Sequence, residues 1–228
     1  MRKPQFTPLD LRTWKRGQMF YYFAKMAPTG YSLTVDVDIT RMLAVCRGAG
    51  IRFFPAYLWL VTKCLNRQME FRIAEKEGQI GYYDFLTPLY ASFHEDDKTF
   101  SVMWTEFREG FLEFYREYLA NQERYGENHG VLCQNQTTPP GNAYTVSCVP
   151  WISFRSFSVH SYGDKPYYFP SVEAGRYYEC GGRILMPLSI TCHHASTDGY
   201  HVKCFLDDFR ESADNFTRFL PKDSGENG

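Results

Sequence analysis

Chemically active side chains are concentrated in TCHHASTDGYHVKC, residues 191–204, which holds three of the six histidines, one aspartate and two cysteines. A neutral imidazole titrates near pH 7, so His194 is suited to take a proton from a substrate hydroxyl as a general base. Asp198, one helical turn further on, can orient that base or pair with a distant arginine. The segment therefore predicts proton-transfer chemistry, although a capped helix with hydrogen-bonded histidines produces the same pattern.

A zinc site is a second interpretation of this segment, because Cys192, His193, His194, His201 and Cys204 are all zinc-ligand types. Adjacent strand residues point to opposite faces, so His193 and His194 do not readily approach one ion. No second ligand pair elsewhere in the sequence closes a structural site. We therefore predict no metal site.

The elements around this segment are predicted from hydrophobic periodicity and turn residues. Apolar residues alternate with polar ones from Leu33 to Ile39, which predicts a half-buried strand, and Thr40 is expected to cap the helix that follows. Pro55 suits the first turn of an apolar helix. Further strands are predicted at 80–83, 89–93, 100–104, 144–149, 157–160 and 183–193, and further helices at 109–125 and 199–215. Strands and helices mix without regular alternation, which predicts an α/β (α+β) fold: a two-layer sandwich of a mixed sheet with helices packed on it.

Composition excludes several classes of protein. The chain has 228 residues, 44% of them hydrophobic and 18% aromatic, with a formal charge of −1. Disorder and nucleic-acid binding are therefore not expected. No apolar run is long enough to span a membrane, and the first residues do not resemble a signal peptide. Seven cysteines without a CxxC pair predict reduced thiols and a cytoplasmic protein. The absence of a linker predicts one domain over residues 1–220, followed by a frayed polar tail over 221–228.

The sequence resembles the chloramphenicol acetyltransferases of the CoA-dependent acyltransferase superfamily. The stretch HHASTDG is similar to the HHxxxDG motif of that family. Further similar motifs follow in the family's order: Trp14-Lys15-Arg16, Gly30-Tyr31-Ser32-Leu33-Thr34, Asp38-Ile39-Thr40, Phe53-Phe54-Pro55, Glu123-Arg124-Tyr125, and Ser147 with Pro150, Trp151 and Phe154. The resemblance extends from about Phe6 to Leu220, and the ordered set is far more specific than one motif.

The resemblance implies a homotrimer with active sites at the subunit interfaces. It also implies direct transfer of an acetyl group from acetyl-CoA, as co-substrate, to a small alcohol in a ternary complex. By match to the motifs, His194 is the general base, His193 its non-catalytic neighbour, and Ser147 the donor to the oxyanion. Asp198 matches the aspartate that pairs with the arginine of W-x-R, here Arg16, and supports the loop that carries His194.

The resemblance also assigns binding residues. The positions that line the acceptor pocket are Tyr22, Phe23, Phe100, Val102, Val159 and Glu173, and those near the adenosine end of CoA are Arg52 and Tyr177. Four residues depart from the family. Phe23 replaces a tyrosine, Glu173 replaces a threonine, and Ser196 and Thr197 replace an apolar residue and a cysteine. An ionised Glu173 beside the acceptor requires a partner, for which Arg176 is suitable if the segment is helical.

The sequence thus predicts an O-acetyltransferase acting on chloramphenicol or a related small alcohol. Two alternatives remain within the fold: an acyltransferase with another acceptor, including the core of a 2-oxo acid dehydrogenase complex, and a non-catalytic binding protein. A serine hydrolase using Ser147, Asp198 and His194 is disfavoured, because the sequence lacks a G-x-S-x-G elbow.

Overall fold

The computed structural model describes residues 3–134, 138–161, 163 and 166–221, so residues 222–228 of the predicted tail lie outside it. The strands are β1 (Phe6–Pro8), β2 (Gly30–Asp38), β3 (Ile73–Lys76), β4 (Gln79–Tyr83), β5 (Thr87–Phe93), β6 (Phe100–Trp104), β7 (Ala143–Val149), β8 (Ser171–Gly175), β9 (Tyr178–Cys180) and β10 (Arg183–His193). The helices are α1 (Gly17–Tyr21), α2 (Thr40–Gly48), α3 (Phe53–Asn66), α4 (Phe111–Tyr125) and α5 (Gly199–Asp214). A π-helical turn, Tyr22–Met26, follows α1, and 3-10 turns lie at Met69–Arg72 and Phe216–Phe219.

The principal sheet has seven strands, in the order β2–β10–β8–β7–β5–β6, with β9 paired to the start of β10. β7 runs parallel to both β5 and β8, whereas β10 is antiparallel to β2, β8 and β9. The pairing of β10 with β2 continues to His193, which lies opposite Gly30. The histidine-rich segment therefore leaves the sheet beside the start of β2.

The helices cover one face of this sheet, around α3. Leu58, Trp59 and Leu60 have no exposed surface, as expected for a helix that is apolar on most sides. α3 packs against α2, α4 and α5, and the predicted mixed sheet with packed helices is confirmed. None of the helices in the described residues has both the length and the apolarity needed to cross a membrane.

A second, smaller apolar cluster lies beneath the histidine-rich turn. It contains Phe20 from α1, Ile73 from β3, Tyr168 and Ala195. α1 begins at Gly17, where a Cβ atom would lie 1.7 Å from a backbone oxygen of the preceding turn, so no larger residue fits without moving the chain. The cluster attaches α1 and the π-helical turn to the segment that carries the histidines.

The predicted strands and helices agree with the structure where hydrophobic periodicity is strong. They depart from it where hydrogen bonds to other segments determine whether an element forms. β10 has the predicted bounds, Arg183–His193. Residues 157–160 were expected to form a strand and do not, because their backbone has no ladder partner among the described residues. It bonds instead to side chains of β10: the Phe157 carbonyl accepts from Ser189 at 2.6 Å, and the Val159 N–H donates to Thr191. Thr40 is the first residue of α2 rather than its cap; its hydroxyl instead accepts the backbone N–H of Ile184 and donates to Asp38.

Candidate active site

His194 lies in the turn that joins β10 to α5. Its backbone N–H donates to the Thr29 carbonyl at 2.8 Å, which ties the turn to the chain before β2. Its ring Nδ1 lies 3.0 Å from the Thr197 carbonyl oxygen, and because a carbonyl only accepts, Nδ1 carries the proton in the neutral ring. The lone pair is then on Nε2, the nitrogen available to take a proton from a hydroxyl.

Two aromatic rings hold the His194 imidazole. Phe23 stacks on it, with ring centroids 4.0 Å apart and planes 17° from parallel, and Tyr31 meets it edge-on at 5.2 Å. Phe23 belongs to the π-helical turn; such single-turn insertions are frequent at functional sites. Tyr31 lies on β2 and was not among the predicted site residues, although it falls within the motif Gly30–Thr34. Only the pairing of β2 with β10 brings it to the histidine.

His193 is held apart from this arrangement. Its Nδ1 accepts the backbone N–H of Ala195 at 3.2 Å, and its ring packs edge-on against Tyr168 at 4.9 Å. Burial, and the neighbouring His194 when charged, lower the pKa of His193. The environment of His193 is thus that of a neutral imidazole packed on the smaller apolar cluster.

Asp198 and Arg16 form an ion pair, with Arg16 Nη1 2.5 Å from Asp198 Oδ2. Asp198 also caps α5, and its carboxylate accepts the backbone N–H of Tyr200 at 3.0 Å. Burial alone would raise the pKa of Asp198, but the hydrogen bond from Arg16 and the positive charges of His201 and Arg16 lower it overall. The pair thus anchors the start of α5, four residues after His194, to the start of α1.

Ser147 and Glu173 lie on the adjacent strands β7 and β8, directly opposite each other. Glu173 in turn faces Ser189 of β10, whose hydroxyl accepts from Thr34 of β2 at 3.0 Å. These four residues form a polar row across the sheet.

Glu173 is a buried carboxyl group with 1% of its surface exposed. Ser171 donates a hydrogen bond to one carboxyl oxygen, and among the described residues the other, Oε2, has no partner. Burial raises the pKa of Glu173 to about 7, although the Ser171 bond lowers it in part. The expectation that a helix brings Arg176 to this carboxylate is wrong, because residues 171–175 form β8 and Arg176 is exposed beyond its end.

Ser147 and His194 do not meet within one chain. The pairing puts Ser147 two strands away from Ser189, and His194 comes five residues after Ser189. At about 3.3 Å per residue and about 4.8 Å between strands, their separation exceeds roughly 15 Å. A cavity of 530 Å³ opens beside Thr34, Phe154 and Tyr178, and neither Ser147 nor His194 lines it. The predicted catalytic residues therefore lie in two separate groups, named here the His194 half-site (His194, Phe23, Tyr31) and the Ser147 half-site (Ser147, Glu173).

The other predicted binding residues are distributed over the sheet and its loops. Tyr22 is exposed and packs edge-on against Phe23 at 5.0 Å, beside the His194 half-site. Phe100 and Val102 lie on β6, the outer strand beyond β5. Val159 lies in the loop after β7, where its backbone N–H bonds to Thr191 of β10 at 3.4 Å.

The two residues predicted to bind CoA lie close together. Arg52 is exposed and immediately precedes Phe53 in α3, and the Phe53 ring packs edge-on against Tyr177 at 6.3 Å. Tyr177 is 40% exposed, between β8 and β9. An exposed guanidinium and an exposed ring on one surface suit a phosphate and a purine.

The zinc interpretation of residues 191–204 finds no support in the geometry. In the part of the chain that the structure describes, the metal-ligating types come together only at His94, Asp96 and His129. Cys192 is buried on β10, and His201 is engaged with Asp198 at the start of α5.

Three comparisons identify what the chain resembles. The family model described as chloramphenicol acetyltransferase matches residues 4–210. A chloramphenicol acetyltransferase of Campylobacter coli is 37% identical over 91% of this chain and 98% of its own length. One of Clostridium perfringens is 33% identical over 95% of this chain and 98% of its own length.

Solved structures share the fold. A structure named chloramphenicol acetyltransferase has a TM-score of 0.83 at 22% identity, covering 91% of this chain and 99% of its own. The truncated catalytic core of a 2-oxoacid dehydrogenase complex from Thermoplasma acidophilum has a TM-score of 0.62 at 16% identity, covering 92% and 98%.

Proposed function

Because the chain belongs to the chloramphenicol acetyltransferase family and is an acyltransferase, we propose that it moves an acetyl group from acetyl-CoA to a hydroxyl of chloramphenicol or a related small alcohol. One domain over residues 1–220 carries the activity, in a cytoplasmic protein. The observation that carries the proposal is the hydrogen-bonded state of His194.

His194 acts as the general base. Its Nδ1–H donates to the Thr197 carbonyl, which leaves the lone pair on Nε2. Nε2 removes the proton of the acceptor hydroxyl while the hydroxyl oxygen attacks the thioester carbonyl carbon. The new C–O bond forms, the C–S bond breaks, and the imidazolium returns its proton to the CoA sulfur. The stacked ring of Phe23 keeps the imidazole in one orientation through both transfers.

Ser147 stabilises the oxyanion by donating its hydroxyl hydrogen. Since Ser147 and His194 are separated by two strands and five residues in one chain, the Ser147 half-site of one subunit faces the His194 half-site of the next. In a closed trimer each interface then contains one complete site. The many exposed apolar side chains, among them Met19, Tyr21, Met26 and Ile152, suit such interfaces.

Asp198 and Arg16 position the base without touching the substrate. Their ion pair and the cap of α5 fix the turn whose carbonyl, at Thr197, orients the His194 ring. Arg52 and Tyr177 bind the adenosine end of CoA on the surface before α3.

Tyr22, Phe23, Phe100, Val102 and Val159 line the acceptor pocket, and Glu173 contributes its polar group. One observation favours an acceptor other than chloramphenicol: a buried carboxyl group whose Oε2 has no partner among the described residues. Such a group suits an acceptor that carries a cation or additional hydroxyls. Comparison of kcat/KM for chloramphenicol between the wild type and Glu173→Thr distinguishes these two kinds of acceptor. A higher kcat/KM in the variant supports a cationic or polyhydroxylated acceptor for the wild type. An unchanged or lower value shows that Glu173 does not hinder the binding of chloramphenicol.

The decisive experiment measures release of the CoA thiol from acetyl-CoA, with and without chloramphenicol. We expect acceptor-dependent release from the wild type and very little from the His194→Ala or Ser147→Ala chains alone. Refolded together at equal amounts, the two variants are expected to regain about a quarter of the wild-type sites, because one interface in four pairs an intact His194 with an intact Ser147. No release with any acceptor overturns the proposed reaction. No regain in mixed, trimeric protein overturns the shared site alone.

A further inference from the structure

His94, Asp96 and His129 form a cluster outside the proposed active site. His94 and Asp96 follow β5 in the turn towards β6, and His129 lies in the loop after α4. One ligand atom of each lies within 4.8 Å of the others. The two imidazole rings stack with centroids 4.1 Å apart and planes 18° from parallel. Because an imidazole lone pair lies in the plane of its ring, both rings can bind one ion only after the exposed His129 side chain turns out of this stack. The sequence alone does not indicate this cluster, because 35 residues separate His94 from His129.

The hydrogen bonds of His94 fix where its proton is. Ser101 Oγ donates its one hydrogen to the Asn128 carbonyl at 2.7 Å. The same oxygen lies 2.8 Å from His94 Nε2, so it accepts there and Nε2 carries the proton. The lone pair of the neutral ring is therefore on Nδ1. The His94 side chain is buried, with 5% of the residue exposed.

His129 likewise has one ring nitrogen that donates a hydrogen bond and one that is left with a lone pair in the neutral ring. Its Nδ1 lies 2.9 Å from Asp97 Oδ2, to which it donates, and its Nε2 lies 3.2 Å from Asp96 Oδ2. In the neutral ring Nε2 carries a lone pair, and a lone pair 3.2 Å from a carboxylate oxygen is repulsive unless a cation or a proton lies between them.

We propose that His94, Asp96 and His129 bind one divalent transition-metal ion of the zinc type. Two imidazole nitrogens and one carboxylate oxygen favour zinc, cobalt or nickel over magnesium and calcium, which prefer oxygen ligands alone. A fourth position is left to solvent, which Asp96 and His129 both reach. Both histidines also donate their other nitrogen to an oxygen, Ser101 for His94 and Asp97 for His129, as the ligands of metal sites generally do.

Such an ion connects two separate segments of the chain. The turn between β5 and β6 carries two of the ligands, and the loop after α4 carries the third. That loop already pairs with β6, where the Val102 N–H donates to the Val131 carbonyl at 2.9 Å. A bound metal ion therefore strengthens the attachment of β6 to the loop and raises the resistance of this edge to unfolding.

Calorimetric titration of the full-length protein with zinc chloride tests this, supported by the visible absorption of Co²⁺ in the same site. We expect one ion per chain in the wild type, with a rise in Tm, and no binding of magnesium. His129→Gln and Asp96→Asn each remove a ligand at a partly exposed position and are expected to abolish both effects. Asp97→Asn removes only the outer partner of His129, and we expect about tenfold weaker binding from it.

Matched controls are His160→Gln, an exposed histidine in another loop, and Cys180→Ser, an exposed thiol on β9; both are expected to bind the metal as the wild type does. If the wild type binds no zinc at one ion per chain, the contact of His129 with Asp96 is an ion pair of a protonated imidazole and the proposal is wrong. Undiminished binding by folded His129→Gln or Asp96→Asn protein also overturns it. Neither outcome depends on the acetyltransferase activity.

Discussion

Glu173→Gln is expected to remove a pH dependence of stability that the wild type carries. Burial raises the pKa of Glu173 in the folded protein to about 7, against 4.5 for a solvated glutamate. Between these two values the folded state holds a proton that the unfolded state has released. The wild type therefore loses stability as pH rises from 4.5 to about 7 and loses no more from this group above that pH.

The magnitude follows from the same two values. A difference of about 2.5 pKa units corresponds to about 3 kcal/mol of unfolding free energy, since each unit is about 1.4 kcal/mol. No solvent-screening discount applies, because only 1% of Glu173 is exposed. Glutamine has nearly the same shape and does not ionise, so its stability carries none of this dependence.

Urea unfolding of both proteins at one chain concentration, from pH 4.5 to 8, gives the difference in their unfolding free energies. Taking that difference removes the pH-dependent contributions of all groups that both proteins share. One of these is His193, whose lowered pKa makes stability rise with pH, in the opposite direction to Glu173. Glu179→Gln, on exposed β9, is the matched control and is expected to follow the wild type at every pH.

A difference that stays constant within about 1 kcal/mol across the range would refute the reasoning. It would mean that Glu173 either meets solvent in the assembled protein or has a cationic partner. The unpartnered Oε2 would then have to be satisfied from outside the described residues.

Four other variants test the remaining roles. His194→Ala is expected to lower kcat about a thousandfold by removing the base, whereas His193→Ala, which removes a packed neutral ring, mainly lowers the urea midpoint; equal losses of kcat in two folded proteins would contradict the assignment. Ser147→Ala is expected to lower kcat about a hundredfold with little change in KM, and an unchanged kcat would exclude it as the oxyanion donor. Asp198→Asn leaves Arg16 without its ion pair and is expected to lower the unfolding free energy, measured in urea, by about 1–2 kcal/mol. The loss is smaller than for a fully buried pair because Asp198 is about one-third exposed. A loss below about 0.5 kcal/mol would contradict its anchoring role.

The parts of this protein that were predictable from sequence are those set by local periodicity and by contiguous motifs. Alternation from Leu33 to Ile39 predicts β2 because a strand with one buried face repeats every two residues. The central helix is predicted by a different local signal, a proline suited to a first helical turn followed by a run of apolar residues. HHASTDG indicates His194 as the candidate base because this residue, its neighbour His193 and Asp198, the cap of α5, are close together in the chain.

The tertiary structure decided whatever depends on strand pairing between distant segments. Glu173 is buried because β8 lies between β7 and β10. Residues 171–175 show no alternation of apolar and polar residues that would have predicted this strand. Tyr31 reaches His194 only through the register of β2 against β10. His94 and His129 meet only because the β5–β6 turn folds against the loop after α4. Register between distant strands and loops is set by the sum of many long-range contacts, and no local window of the sequence contains that sum.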